Sequence, residues 1–254
     1  MHITVLTLFP DMLSGPLSGS LLLKARQNGL LSIDLVQLRD FAANRYGQVD
    51  DRPYGGGPGM VIRADVVAHA LNHVLAGRPG HVVYVSPQGR QLTQSDGQRL
   101  AGLDHLVLLC GHYEGIDERV VAARVDEEIS IGDFVLTGGE IPALVIIDML
   151  ARWLPGVVGD SASVEGDSFS AGSGGILDYP HYTRPAQWQG VSPPAVLLSG
   201  HHQAIASWRR RQSLLRTLIR RPDLLTDAPL SRPERSLLTL LAQSLDEMVP
   251  DEIE

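Results

Sequence analysis

Two short apolar runs in this chain each end in a polar loop punctuated by glycine. Residues 105–110 lead into Gly111-His112-Tyr113-Glu114-Gly115-Ile116-Asp117-Glu118-Arg119. Residues 130–136 lead into Thr137-Gly138-Gly139-Glu140-Ile141-Pro142. Consecutive glycines let a backbone take up positive φ without a Cβ penalty and approach a ligand closely. Two such loops at strand ends read as a cradle made of backbone. Residues 2–9, 31–38, 81–86 and 105–110 are rich in Val, Leu, Ile and Thr and read as strands, and residues 128–136 as a further strand broken at Gly132. Between them lie helical stretches: residues 20–27 capped by Gly29, residues 64–75 with Val66, Val67, Ala70, Leu71 and Val74 on one face, residues 93–103, and residues 140–153 with Pro142 in the first turn. Apolar strands alternating with helices specify an α/β domain with a mostly parallel sheet. Such sheets bind ligands at the carboxyl ends of their strands. The Pro87-Gln88-Gly89 turn and both glycine loops fall there.

A length of 254 residues allows one large or two modest domains, each with a proper core. The single cysteine, Cys110, excludes a disulfide framework and any multi-cysteine zinc site. In its apolar run it reads as a small buried hydrophobe. The N-terminus lacks the basic flank and long apolar run of a signal peptide. No stretch approaches the roughly 20 apolar residues of a membrane span, so a cytoplasmic setting is expected. Residues 160–175 are rich in Ser and Gly and read as a flexible linker. The expected division is an α/β domain over residues 1–160, a linker over 161–177 and a small, mainly helical domain over 178–254. A net charge of -8 argues mildly against a nucleic-acid partner, but distribution matters more. Eight arginines and only three acids fall between residues 201 and 235, whereas the tail after Leu245 is acidic.

Several chemistries are excluded by motif. Asp50-Asp51-Arg52-Pro53-Tyr54-Gly55-Gly56-Gly57-Pro58-Gly59-Met60 lacks the Gly-Lys-Ser/Thr and the helix start of a phosphate loop. It reads as a plain mobile loop or as one that moulds onto a bulky ligand. No Gly-x-Gly-x-x-Gly opens a helix, which argues against a nicotinamide dinucleotide. Neither Gly-x-Ser-x-Gly nor His-Glu-x-x-His occurs, which removes two hydrolase classes. Glu114 and Asp117 serve equally as helix caps, cation ligands or partners for a ligand amine. Asp167, alone in the Ser/Gly segment, reads as a solvated charge or turn former. Arg152, at a helix end, complements the helix dipole. In the helix over residues 204–220, Ile205, Trp208, Leu215 and Ile219 share an apolar face. Arg209, Arg216 and Arg220 form an adjoining stripe, either a solvated surface or a phosphate-tracking one. Aromatic residues make up only 5%, too few for many base-stacking platforms.

Taken in order, Tyr54-Gly55-Gly56-Gly57-Pro58-Gly59-Met60, Ser86-Pro87-Gln88-Gly89, the residue 110–119 run and Ile131-Gly132-Asp133-Phe134-Val135-Leu136-Thr137-Gly138-Gly139-Glu140 resemble the bacterial tRNA (guanine-N(1)-)-methyltransferases of the TrmD family, in the SPOUT superfamily. Pro180-His181-Tyr182-Thr183-Arg184-Pro185 and Val196-Leu197-Leu198-Ser199-Gly200-His201 carry the resemblance to about residue 222. The resemblance implies methyl transfer from S-adenosyl-L-methionine to the guanine at tRNA position 37, 3′ to the anticodon. It also implies a SPOUT-type parallel sheet tied in a deep trefoil knot, against the general rarity of knotted chains, and a homodimer whose active sites use both subunits. The cofactor set it implies is Tyr84, Ser86, Pro87, Gln88, Gly111, Ile131, Gly132, Asp133, Phe134, Val135, Leu136, Gly138, Gly139 and Pro142. Asp167, in Glu165-Gly166-Asp167-Ser168-Phe169, matches the family's catalytic aspartate, and Arg152, before Trp153-Leu154-Pro155-Gly156, its catalytic arginine. The residues assigned to tRNA are Glu114, Gly57, Ser163, Arg184, Arg209, Arg216 and Arg220, with Glu114 holding the base or a magnesium ion. The linker runs a few residues longer than the family pattern, through Ser173-Gly174-Gly175. A side-chain carboxylate of ordinary pKa, about 4, is too weak to ionise guanine N1 beforehand, so proton removal must accompany attack on the methyl group.

Overall fold

The computed structural model describes residues 1–159 and 161–246, with side chains at all of these except 161–163 and 244–246. Asp160 at the start of the expected linker, the Ser163 side chain and the acidic tail beyond residue 246 lie outside the described residues. The chain divides into two compact units, Met1–Ser161 and the residues from Ala162 onward.

The first unit runs β1 (His2–Thr7), α1 (Asp11–Ser14), α2 (Ser20–Gln27), β2 (Ser32–Gln37), β3 (Asp50–Asp51), β4 (Val61–Ile62), α3 (Ala64–Leu75), β5 (His81–Gln91), α4 (Gln94–Ala101), β6 (His105–Cys110), α5 (Glu118–Arg124), β7 (Glu127–Ser130) and α6 (Glu140–Ala151). Five strands form one parallel sheet in the order β2-β1-β6-β5-β7. Both faces are covered, so successive strand residues are apolar. Ile3, Val5, Val83, Val85, Leu106, Leu108 and Cys110 pack with α2, α4 and α6. Leu6, Val82, Tyr84, Val107 and Leu109 pack with α3 and α5. From β5 the chain goes to β6 on one side and then to β7 on the other. The carboxyl ends of these three strands therefore flank a point where strand order reverses, the usual ligand position in open α/β sheets.

Two strand expectations are corrected. The expected turn at residues 87–89 does not end β5. Val85 and Arg90 both pair with Ile129, so residues 86–89 are extruded as a bulge and the strand resumes. The expected strand over residues 128–136 stops at Ser130. Ser130 Oγ accepts the Gly132 N–H at 3.2 Å and donates to the Gly132 carbonyl at 3.0 Å, and Gly132 has a φ of 151°. That turn carries residues 131–139 off the sheet as a loop.

The second unit holds most of α7 (Ser161–Gly166), then α8 (Ala195–Leu198), α9 (His202–Arg220) and α10 (Arg232–Asp246). Its small core is Ile176, Leu214 and Leu238, with Leu218, Leu225 and Leu230 against it. The segment expected to be a flexible linker carries α7 and a run of hydrogen-bonded turns. Phe169 N–H donates to Ile176 O at 3.1 Å, Gly175 N–H to Ser170 O at 2.9 Å, and Leu177 N–H to Thr217 Oγ1 at 3.0 Å. The buried face of α9 is also not the apolar one identified in the sequence. Ser213, Leu214 and Thr217 point inward, while Ile219 is 58% exposed. Thr217 Oγ1 donates to Ser213 O at 2.7 Å, so its hydroxyl enters the core already satisfied.

Candidate cofactor cleft and substrate residues

One cleft opens at the carboxyl ends of β5, β6 and β7. Its walls include Tyr84, Ser86, Pro87, Gln88, Gly111, Ile131, Gly132, Phe134, Val135, Leu136, Gly138, Gly139 and Pro142. These are thirteen of the fourteen residues assigned to the cofactor. Asp133 is the exception: it sits in the same loop but is exposed and does not line the cleft. Val85, Ile129, Ser130, His112, Tyr113, Gly115 and Thr137 also line it and were not in the expected set. Their signal was present, because His112, Tyr113 and Gly115 belong to the same glycine-punctuated run as Gly111.

The walls are close-fitting backbone. Gly139 N–H donates to Gly111 O at 2.8 Å, joining the two glycine loops, and His112 bridges Gly138. A Cβ at Gly139 would lie 2.7 Å from Cys110 Cα, and one at Gly111 would lie 2.8 Å from Tyr84 Oη. At Gly138 it would strike both the Glu140 carboxylate and His112 Nδ1. Glu140, buried in the first turn of α6, accepts the Thr7 hydroxyl at 2.6 Å, and the helix N-terminus favours its negative charge. Burial, with Glu128 beside it, pushes the Tyr84 phenol up to about 12, so its hydroxyl remains a neutral donor. Burial, with Glu140 adding to it, also raises the Cys110 thiol well above its usual value, and the residue packs as a neutral group.

Among the described residues no Arg or Lys lines the cleft, and Glu114 is the one carboxylate that does. Such a site disfavours phosphate groups and suits a cationic, phosphate-free ligand that presents edges to backbone amides. The loop over residues 53–60 adjoins it. Glu114 N–H donates to Met60 O at 3.0 Å, and a Cβ at Gly59 would collide with the Glu114 side chain. Gly57, in the same loop, is exposed with a φ of 118°. Among the described residues no three His, Cys, Asp or Glu side chains gather as a metal-ligand set.

The sequence matches the family described as tRNA (Guanine-1)-methyltransferase TrmD over residues 1–227. It is 56% identical over 250 residues to the tRNA (guanine-N(1)-)-methyltransferase of Magnetococcus marinus, covering 97% of this chain and 98% of that one. It is 52% identical over 251 residues to the protein of that name from Pelotomaculum thermopropionicum, covering 98% and 99%. The chain belongs to the TrmD family.

In this TrmD-family chain the remaining site candidates are not among the described residues that line the cleft. Arg152 caps the C-terminal end of α6 and lines a groove with Leu21, Leu22, Ile141, Leu144, Val145 and Met149. Asp167 follows α7 in the second unit, is half-buried, and its carbonyl accepts the Ser170 N–H at 3.2 Å. Arg184 is exposed. The structure sorts the arginines of α9. Arg210 is paired with Glu234 at 2.6 Å and Arg221, just after the helix, with Asp223 at 2.7 Å. Arg209 lies 4.8 Å over the Tyr179 ring, a cation–π contact. Among the described residues no carboxylate pairs with Arg209, Arg216 or Arg220.

Proposed function

We propose that the protein transfers the methyl group of S-adenosyl-L-methionine to N1 of guanine 37 in tRNA. The observation that carries this reading is the cleft at the carboxyl ends of β5, β6 and β7, lined among the described residues by no Arg or Lys, into which the motif residues converge. Family membership and relatives named tRNA (guanine-N(1)-)-methyltransferase support the reaction class. We read the three loops at one sheet end as part of a SPOUT-type trefoil knot. The substrate, tRNA, places the enzyme in the cytoplasm. Among the described residues no helix is long and apolar enough to cross a membrane.

S-adenosyl-L-methionine, when bound, supplies a methyl group activated by a positively charged sulfur. The backbone around Gly111, Gly138 and Gly139 would hold and orient it, and Phe134, Val135 and Leu136, which line the cleft, would shield it from water. Tyr84 contributes a neutral hydroxyl. Asp167 takes the N1 proton as the new nitrogen–carbon bond forms and the carbon–sulfur bond breaks. Arg152 stabilises the negative charge that develops on the guanine oxygen. Glu114 faces the base edge or contributes one oxygen to a magnesium ion, whose other ligands would be water and substrate. Arg209, Arg216 and Arg220, with Arg184, track tRNA phosphates.

We also read the active molecule as a homodimer with shared sites. Helix α6 is strongly apolar, and its outward face carries Ile141, 46% exposed, and Val145, 42% exposed, with Asp148 beside them in the groove. A second copy laid on this groove would cover them. Gly139 and Pro142 at the start of α6 line the cleft, whereas Arg152 lies about 18 Å away at its far end. Arg152 therefore serves a partner's cleft rather than its own.

Incubation with labelled methyl donor and tRNA transcripts is expected to label N1 of guanine 37. Asp167→Ala should lower turnover by about 10²–10⁴-fold with cofactor affinity nearly unchanged. Appreciable turnover by that variant would remove the role given to Asp167. No label on any tRNA would favour a non-catalytic RNA-binding protein of the same fold. Label at a different base would indicate a related enzyme acting on another RNA.

A further inference from the structure

The bulge that builds one cleft wall is anchored from outside the cleft. Residues 86–89 are extruded between Val85 and Arg90, and Arg90 is the residue at which β5 rejoins β7. Arg90 does not line the cleft. Its guanidinium donates to both oxygens of Asp96 at 2.9 and 2.7 Å and to Glu127 Oε2 at 2.7 Å. Asp96, almost fully buried, also accepts the Thr93 N–H at 2.9 Å and so fixes the start of α4. Glu127 begins β7, accepts from Arg99 at 2.9 and 3.0 Å, and lies 2.8 Å from His81 Nε2 at the start of β5. The network thus ties the Arg90 foot of the bulge, the start of β5 and the neighbouring strand β7 to one helix. Within the bulge, the Gln88 N–H donates to Ser86 Oγ at 3.1 Å.

We propose that Arg90 is a positioning residue, which holds the Ser86–Gln88 wall in its ligand-ready shape by bridging Asp96 and Glu127. This rests on reading the cleft as the S-adenosyl-L-methionine site. If removal of the bridge leaves the ready shape populated about one time in ten, apparent affinity falls about tenfold. Chemistry in the occupied site is untouched.

The test is calorimetric titration of Arg90→Met with S-adenosyl-L-methionine, paired with amide hydrogen exchange on the same protein without ligand. The expected result is about tenfold weaker binding, turnover at saturating cofactor close to that of the parent, and faster exchange at Gln88 and Gly89. Arg90→Lys should recover part of the affinity, because one ammonium cannot span both carboxylates. Asp96→Asn is expected to behave like Arg90→Met and serves if that variant does not fold. Arg63→Met, which breaks the Arg63–Asp65 pair elsewhere in the unit, should leave both readouts unchanged. Unaltered binding and exchange in Arg90→Met and Asp96→Asn would overturn the proposal. A parent protein that binds no S-adenosyl-L-methionine would overturn the cofactor reading instead, and the exchange measurement would still decide the role of Arg90.

Discussion

Gly139 shows how one residue can join fold and site. Its φ of -79° suits any amino acid, so its identity is not a matter of backbone strain. The constraint is proximity, because an added Cβ would meet Cys110 Cα at 2.7 Å and Gly111 N at 3.0 Å. Both contacts are backbone, and backbone at a buried strand end does not give way easily. Gly139→Ala should therefore push apart the bond between Gly139 N–H and Gly111 O that closes the cleft. We expect a loss of stability of about 1–3 kcal/mol, as for overpacking, together with at least tenfold weaker binding of S-adenosyl-L-methionine. Gly77→Ala is the matched control, since nothing lies within 4 Å of its would-be Cβ. Thermal denaturation and titration of the two variants side by side check the expectation. Equal affinity in both would mean that the cleft tolerates movement at Gly139.

At the scale of elements, one carboxylate ties α9 to α10 beside their shared apolar core. Glu234 accepts the Ser231 N–H and hydroxyl at the start of α10 and receives Arg210 of α9 at 2.6 Å. Burial opposes its ionisation, but the Ser231 and Arg210 hydrogen bonds outweigh it and hold the carboxyl down to about 2, against an ordinary 4.5. A lowered folded-state value stabilises the fold fully above pH 4.5 and progressively less as pH falls toward 2. Glu234→Gln should cost about 1–2 kcal/mol at neutral pH and flatten the acid dependence in that window. Hydrogen exchange of the α10 amides at pH 7 and pH 3 in both proteins measures this. An acid dependence equal to the parent's would count against the assignment. Elements with dense apolar periodicity, such as α3 and β6, were legible from sequence to the residue. Helix α9 was not, because Thr217 hides a polar atom in its own backbone while apolar Ile219 faces out. The β5 bulge was legible as a turn but not as an interruption, since the re-pairing of Arg90 depends on β7, a distant strand. In the site, the glycine loops could be read as a close-approach cradle, whereas the apolar residues 131 and 134–136 read as strand and came to the cleft only through the family resemblance. Glu140 could not be read, because a carboxylate at a helix start looks solvated until Thr7 is seen beside it.

The whole molecule poses a question that neither a residue nor an element answers: which chain completes each site. Arg152 and the cleft lie at opposite ends of α6, and on the proposed reading a site that uses both draws them from two copies. Two inactive variants separate the possibilities. Arg152→Ala keeps an intact cleft, and Gly139→Val destroys the cleft but keeps Arg152. Each should be inactive alone. In a heterodimer, the cleft of the first chain meets the intact arginine of the second, giving one working site of two. Random exchange of subunits makes half the dimers mixed, so the mixture should recover about a quarter of parental activity, as isologous pairing requires. If each chain supplied its own arginine, no site in any dimer would hold both parts and the mixture would stay inactive. The measurement is methyl transfer to tRNA after co-refolding the two variants, with parent protein refolded in parallel. Recovery near a quarter supports a shared site, and its absence in protein shown to form mixed dimers would assign Arg152 to its own chain.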